Sequence, residues 1–494
     1  MASQHPDHAS KPYWHDRAFI STQYETFECF LNFSELGISE YKWDWEGKLV
    51  DESVMERLLS EYFDYFKKHQ LGSEKFLTFR LPNPKVEHEF RIGRAFMGLL
   101  SAASLAKQAG LQSPPLFEVI LPMTETAEEM IDIQEAFKEL VSLKHRLYRL
   151  DNNLLQHLEV IPLFEQVDTI MNSDKILDTY FAMHQKKFGF KPLYLRPYVA
   201  RSDPALNSGL VPTVIAIKIA LSHYADYQDR TGIELYPIIG SASLPFRGGL
   251  TPETVSQFAK EYQGVRTALI QSAFRYDYEI ETVKKALKKL EKLLPQQKAV
   301  RIPASEEQEL RSFIELFEKP YRQGIEKIAS EINAVASQLP KRRERVQHIG
   351  LFGYSRGVGK VKLPRAIGFT AALYSLGIPP ELIGTGRGLH AAQKLGKLPL
   401  IEKYYLNLRN DLERAGRFVQ KDVLTKKAKN SPVWNDLLQD VTYVESFLRH
   451  ELGPQSSDEK EHHKYVKALR TKLDSKEPTQ KIIEKAAVLR KSLG

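Results

Sequence analysis

The chain has 494 residues, 42% hydrophobic and 27% charged, which excludes wholesale disorder and is typical of a globular protein with a large core. Its formal net charge of +8 suits a protein that handles anions, either a small phosphorylated substrate or a nucleic acid. A single cysteine, Cys29, excludes an intrachain disulfide and a zinc site made of cysteines. The N-terminus has no apolar signal core and no long apolar run follows it, so we expect a cytoplasmic protein without membrane contact.

Short β-rich runs alternate with helical segments along the first 355 residues, which predicts right-handed βαβ units and a parallel sheet. Eight such runs favour an α/β fold of the (β/α)8 TIM-type barrel class, and a doubly wound open sheet is the alternative. The predicted strands are Tyr41–Trp45, Phe76–Leu81, Phe117–Leu121, Leu158–Leu163, Leu193–Val199, Glu234–Ile239, Thr267–Gln271 and His348–Phe352.

Additional helices follow, mainly at the C-terminus. A long helical pattern precedes His348–Phe352, and Pro320 is expected to kink or end it. We expect one domain over 1–494, with the barrel at about 35–390 and a helical extension at about 391–494. Lysines in the extension, such as Lys426 and Lys427, are interspersed with acidic residues, which favours a solvated face and no nucleic-acid partner.

Reactive groups of such barrels lie where strands end, so polar residues at those ends are the first candidates. Glu165 and Asp203 end consecutive predicted strands and would face the same mouth. Two carboxylates suit Mg²⁺ or Mn²⁺, hard ions that take oxygen ligands. The alternative of equal weight is that each carboxylate caps a helix or pairs with a nearby arginine.

Several arginines are expected at the same mouth, where a substrate with both phosphate and carboxylate groups needs planar bidentate donors. They are Arg80, Arg196 or Arg201, Arg247, Arg356 and Arg365. Arg247 lies in a loop with two glycines, Leu244–Leu250, which permits close backbone approach to an anion and closure as a lid. His5, in a terminal Ser-Gln-His-Pro-Asp stretch, carries no meaning by itself.

These segments together resemble motifs of the archaeal-type (short) phosphoenolpyruvate carboxylases. The stretch SQHPDH is similar to the N-terminal signature, Ile161-Pro-Leu-Phe-Glu165 to a motif that ends in a metal ligand, and Ala200-Arg-Ser-Asp203 to a second such motif. Phe246-Arg-Gly-Gly249 resembles half of the glycine-rich substrate loop, and Leu363-Pro-Arg-Ala-Ile367 a segment that supplies a substrate-binding arginine. The matches follow the family's order from residue 3 to about 390.

The resemblance implies that Glu165 and Asp203 bind Mg²⁺ or Mn²⁺ and that His5 is the general base. It implies that Arg247 contacts the developing phosphate, that Arg365 binds a substrate anion and, less closely, that Arg80 does too. Arg201 and Arg356 complete the expected substrate-binding set. The chain departs in three places from the long bacterial and plant enzymes of the family: Ile239-Gly-Ser241 replaces a loop histidine and arginine, Leu206 lies near the place of a lysine for which Arg201 could compensate, and Lys491-Ser-Leu-Gly494 lacks a terminal asparagine that helps to bind the inhibitor aspartate.

The expected function is therefore the carboxylation of phosphoenolpyruvate by bicarbonate to oxaloacetate and phosphate, through carboxyphosphate and a metal-stabilised enolate. Two alternatives remain open: a related barrel lyase that acts on a 2-oxo acid through an enolate, and a non-catalytic basic protein that binds RNA. The family resemblance also implies a homotetramer.

Overall fold

The fold is built on an eight-stranded parallel sheet, described in a computed structural model of residues 1–87, 90–143, 154–344, 357–358, 361–475 and 477–494. In sheet order its strands are Ala2–Ser3, Glu40–Asp44, Phe76–Arg80, Glu118–Leu121, Glu159–Phe164, Tyr198–Val199, Ile238–Ile239 and Thr267–Ala268. Main-chain bonds from Ser3 N to Ile270 O (3.0 Å) and from Ile270 N to Met1 O (2.8 Å) join the first strand to the chain beyond the last. The sheet therefore curls back on itself, and the TIM-type prediction is confirmed.

The place of the eighth strand differs from the prediction. Ala2–Ser3 completes the sheet, beginning well before the predicted barrel start near residue 35, while His348–Phe352 lies outside the described residues. The predicted strand Leu193–Val199 is interrupted: Tyr194–Leu195 pairs with Glu234–Leu235 in a separate two-stranded sheet, and only Tyr198–Val199 joins the barrel.

Helices follow each barrel strand, as right-handed crossovers require. Up to the end of the barrel they are Thr22–Ser34, Val54–Glu61, Phe63–Lys68, Arg91–Gln108, Ala127–Val141, Val167–Met171, Ser173–Phe188, Ser202–Ser208, Leu210–Thr231, Val255–Glu261, Ser272–Tyr276 and Ile280–Leu293, with short 3₁₀ turns at Pro245–Arg247 and Leu294–Gln296.

The remaining chain is mostly helical. A single long helix, Ala304–Ala336, continues through Pro320, so the proline does not end it. A two-stranded antiparallel pair, Gly357–Val358 and Val361–Lys362, precedes the C-terminal helices. These are Ala366–Ser375, Thr385–Lys394, Leu398–Tyr404, Leu408–Gly416, Lys421–Ala428, Pro432–Leu448, Ser457–Asp474 and Gln480–Leu489. None of the described helices is long and apolar enough to cross a membrane.

Apolar side chains fill the barrel and the layer between the barrel and its helices. Seven buried residues form the interior cluster: Ile120, Ile161, Leu163, Tyr198, Ala200, Ile238 and Leu269. Every second residue of Glu40–Asp44 points the other way, so Tyr41 and Trp43 pack in the outer core while Lys42 and Asp44 share the inner face. The charged residues of this strand thus lie inside the barrel.

Candidate active site

Glu165 and Asp203 lie at the carboxyl ends of two paired strands. Phe164 is paired with Val199, and Ala200 N donates to Phe164 O at 2.9 Å, which brings the residues after both strands to the same mouth. Glu165 is buried, and Asp203 lies in the first turn of helix Ser202–Ser208. Two carboxylates there would fit Mg²⁺ or Mn²⁺, which take oxygen ligands and usually complete their shell with waters and a substrate oxygen. No group of three acidic, histidine or cysteine residues with metal-ligand spacing occurs among the described residues.

Tyr198 shows that the charged groups of the mouth converge. Its ring is buried in the barrel, and burial raises the pKa of its hydroxyl. The charges of Arg80, Glu165, Asp44 and Asp203 all act on that pKa, Arg80 lowering it and the three carboxylates raising it. The two candidate metal ligands and Arg80 therefore all act on one side chain of the barrel interior.

Arg80 ends the third strand and is held by two carboxylates of the second strand and the residues after it. Its Nη2 donates to Asp44 Oδ2 at 2.6 Å, its Nε donates to Asp44 Oδ1, and its Nη1 lies 2.5 Å from Glu46 Oε2. Burial alone would lower the pKa of Arg80, but Asp44 and Glu46 outweigh it and raise the pKa well above its usual value. Arg80 thus keeps its positive charge in the barrel mouth.

Arg365 lies beside the same carboxylate as Arg80. Its Nη2 lies 3.7 Å from Glu46 Oε2, the carboxylate that also binds Arg80, and its side chain is 28% exposed. A Cβ at Gly47 would lie 3.1 Å from Arg365 Nη1, so the glycine leaves room for the guanidinium. Arg365 and Arg80 therefore lie beside one carboxylate, whereas Arg356 lies outside the described residues.

Arg247 contacts four separate parts of the chain. It donates from Nε to Ser202 Oγ (3.1 Å), from Nη2 to Gln271 Oε1 (2.8 Å) and from Nη1 to the carbonyl of Gly494, and its Nη1 lies 3.6 Å from Asp7 Oδ2. Burial lowers its pKa, which Asp7 opposes. Ser202 precedes Asp203, so Arg247 lies beside the candidate metal site.

Arg201 binds the backbone of the loop Leu244–Leu250, which carries Arg247. Its Nη1 and Nη2 donate to the carbonyls of Phe246 (3.0 Å) and Pro245 (3.2 Å), and its Nε donates to the Tyr262 hydroxyl (3.1 Å). All three nitrogens are thus engaged with protein, as those of Arg247 also are, and two of them hold the backbone of the loop that carries Arg247. On the outer side, Arg414 donates to the carbonyls of Gly249 and Ser243 at 3.1 and 3.2 Å.

Arg196 lies at the opposite end of the barrel, so the expectation of this residue at the mouth is wrong. Its guanidinium binds Glu40 at 2.9 and 2.7 Å and Glu118 at 2.5 Å, residues that begin their strands. The amino ends of parallel strands face away from the mouth. Arg196 closes the floor of the barrel with a buried ion-pair group.

His5 follows the first strand and is half-buried. Its Nδ1 lies 3.1 Å from Ser3 Oγ, and its carbonyl accepts a hydrogen bond from Ser272 Oγ at 2.8 Å. Burial, then the positive charges of Lys42 and Arg80, hold its pKa well below the usual value. A neutral imidazole can accept a proton, as a general base must.

Sequence reasoning missed Lys42, Asp44 and Glu46. The signal is present in Tyr41-Lys-Trp-Asp-Trp-Glu46, where charged residues alternate with aromatic ones. In a strand whose aromatic face packs in the core, such alternation places the charges together on the other face. It also missed Asp7, which accepts from Ala273 N at 2.7 Å and fixes the segment that carries His5.

Comparison with known proteins gives consistent results. A family model described as phosphoenolpyruvate carboxylase matches residues 1–494. The chain is 38% identical to the phosphoenolpyruvate carboxylase of Oenococcus oeni over 498 residues, which covers 100% of this chain and 98% of that protein. It is 37% identical to that of Metallosphaera sedula, covering 100% and 99%, and 39% identical to that of Pyrococcus horikoshii, covering 85% and 87%.

Proposed function

The chain belongs to the phosphoenolpyruvate carboxylase family of carboxy-lyases, and we propose that its carboxylation of phosphoenolpyruvate by bicarbonate takes place at the barrel mouth, with Glu165 and Asp203 as metal ligands. Of the three functions that the sequence leaves open, the comparisons support this one. The observation that carries the assignment of the site is the adjacency of Phe164 and Val199, which brings two carboxylates to one mouth beside Arg80.

Glu165 and Asp203 would hold Mg²⁺ or Mn²⁺ through carboxylate oxygens. When bound there, the ion supplies positive charge for the enolate oxygen. The two carboxylates come from elements anchored in the sheet, so their separation is set by strand pairing rather than by a mobile loop.

Three arginines of the described residues are placed to bind the substrate anions. Arg365 and Arg80 approach from the side of Glu46, and Arg247 approaches from the side of Ser202. A substrate with a phosphate and a carboxylate needs donors on more than one side. We assign Arg201 to a different task, since two of its nitrogens hold the backbone carbonyls of Pro245 and Phe246 and so position Arg247.

His5 is the proposed base. A bicarbonate oxygen attacks phosphorus, the bond from phosphorus to the enol oxygen breaks, and carboxyphosphate and the enolate result. His5 accepts the carboxyl proton of carboxyphosphate, the bond from carbon to the bridging oxygen breaks, and CO2 and phosphate form; phosphate takes the proton back. The enolate carbon then attacks CO2 to give oxaloacetate. The low pKa of His5 keeps it unprotonated before this step.

Loop Leu244–Leu250 protects the enolate from water, since protonation would give pyruvate instead. Its carbonyls and one main-chain N–H are held by Arg201, Arg414 and Glu381. These bonds describe a closed loop, and opening would have to break several of them.

An Arg247→Ala enzyme tests this role. The expected result is slower oxaloacetate formation together with more pyruvate per phosphoenolpyruvate consumed, measured with malate dehydrogenase and lactate dehydrogenase as separate coupling enzymes. Full carboxylation without extra pyruvate would contradict it. The control is Arg409→Ala, whose guanidinium lies on the surface beside Glu402.

The family resemblance further leads us to propose a cytoplasmic homotetramer that binds neither nucleic acid nor membrane. The single buried cysteine, Cys29, is compatible with a reducing compartment. Light scattering coupled to size exclusion tests the assembly, and a mass of four chains is the expected result.

A further inference from the structure

Lys42 is a buried lysine on the inner face of the barrel. It lies in strand Glu40–Asp44 and is paired in register with Ser3, so the two side chains are neighbours on one face. Ser3 Oγ in turn lies 3.1 Å from His5 Nδ1. The ammonium of Lys42 therefore lies close to the proposed base.

The Lys42 ammonium has no hydrogen-bond partner among the described residues, although the side chain is fully buried. The carboxylate that approaches it, Asp44 Oδ2, is 3.9 Å from Nζ and already receives Arg80. A buried cation without a bonded partner is costly, and it marks a place where an anion completes the arrangement.

Two other buried lysines of the described residues are paired with carboxylates. Lys48 Nζ binds the Glu25 carboxylate, and Lys218 Nζ lies 2.7 Å from Glu261 Oε1. The pKa of Lys48 is also lowered by burial, with Glu25 opposing the effect. The pKa of Lys42 is lowered to about 7, because the effects of burial and of the Arg80 charge outweigh those of Asp44, Glu46 and Glu165. An anion bound at Nζ would stabilise the charged form of Lys42 and raise its pKa again.

We propose that Lys42 is a substrate-binding residue that holds bicarbonate, and then the carboxyl end of carboxyphosphate, beside His5. The inference rests on the proposed role of His5, because a base must lie within hydrogen-bond reach of the proton that it removes. Among the neighbouring charges that act on the pKa of His5, that of Lys42 has the largest effect. A compact ammonium suits a small anion, whereas the larger phosphoenolpyruvate meets the bidentate arginines.

The test measures the KM for bicarbonate and the KM for phosphoenolpyruvate in Lys42→Met, a substitution that keeps a long unbranched side chain and removes its charge. We expect the KM for bicarbonate to rise about 10- to 100-fold, as the loss of a charge-assisted hydrogen bond implies, and the KM for phosphoenolpyruvate to stay within about 2-fold. The matched control is Lys48→Met, which also removes a buried lysine and should leave the ratio of the two constants unchanged.

A rise only in the KM for phosphoenolpyruvate, or an unchanged KM for bicarbonate in an active variant, would overturn the inference while leaving the proposed function intact. A wild type that makes no oxaloacetate from phosphoenolpyruvate and bicarbonate would overturn the proposed function itself. Should Lys42→Met not fold, Lys42→Arg keeps a cation in the barrel with a larger head group. Its KM for bicarbonate is expected to rise about 3- to 10-fold, and an equal rise of both constants would overturn the inference.

Discussion

Glu381 makes the stability of the loop that carries Arg247 depend on pH. Its buried Oε1 accepts hydrogen bonds from Phe246 N and from the Tyr374 hydroxyl, each at 2.8 Å, while Oε2 has no partner among the described residues. Burial, partly offset by these bonds, raises the pKa of Glu381 from 4.5 to about 7. A Glu381→Gln variant keeps an acceptor at Oε1 and cannot titrate.

The sign of the effect follows from which state binds the proton. Between pH 4.5 and about 7 the folded protein holds a proton on Glu381 that the unfolded chain releases. This contribution to stability is fully present below pH 4.5 and is lost as pH rises through about 7. At about 1.4 kcal/mol per pKa unit, the shift amounts to about 3 kcal/mol.

Urea denaturation of wild type and Glu381→Gln between about pH 5 and pH 8 measures this contribution. The free energy of unfolding of the variant, relative to wild type, is expected to increase by about 3 kcal/mol across the range. Glu451→Gln is the control, since that carboxylate is 89% exposed. A difference between Glu381→Gln and wild type that stays constant with pH would refute the reasoning.

Two further predictions concern packing and the barrel ion pair. Gly386→Ala places a Cβ 2.0 Å from the carbonyl oxygen of Asp440, so we expect it to lower the melting temperature strongly, whereas Gly93→Ala, with no described atom within 4 Å of the new Cβ, should leave it unchanged or raise it; equal effects would contradict this. Asp44→Ala removes the bidentate partner of Arg80 and is expected to lower the free energy of unfolding by about 3 kcal/mol. In a double-mutant cycle with Arg80→Met, the double variant should lose less free energy of unfolding than the sum of the two single variants, by more than about 1 kcal/mol. A double variant that loses the full sum would show that the pair is not coupled.

The barrel could be predicted because most of its strands have a repeated signature. Runs such as Phe76–Arg80 and Glu159–Phe164 are apolar, β-rich and separated by helical periodicity, and they pair as the alternation requires. Ala2–Ser3 could not be found this way, since two residues carry no period. Its place in the sheet depends on main-chain bonds to Ile270, which follows the last barrel strand in the sequence.

The sequence predicts the position of a candidate site residue where the end of its strand alone decides that position. Glu165 and Asp203 reach one mouth because their strands are neighbours, but Arg196, only five residues before Arg201, lies at the opposite end. A barrel strand is only a few residues long, so its first and last residues lie at opposite ends of the barrel. An error of a few residues in the predicted bounds therefore places a side chain at the wrong end. Lys42 was missed because only the register with Ser3 shows that it lies beside His5.

Metal-dependent turnover in wild type, Asp203→Asn and Asp168→Asn tests the assignment of the site. Oxaloacetate formation from phosphoenolpyruvate and bicarbonate would be followed while Mg²⁺ or Mn²⁺ is titrated. We expect wild type and the exposed control Asp168→Asn to saturate with metal, and Asp203→Asn to lose at least about 100-fold in kcat with weakened metal dependence. Wild-type metal dependence and turnover in a folded Asp203→Asn protein would contradict the assignment.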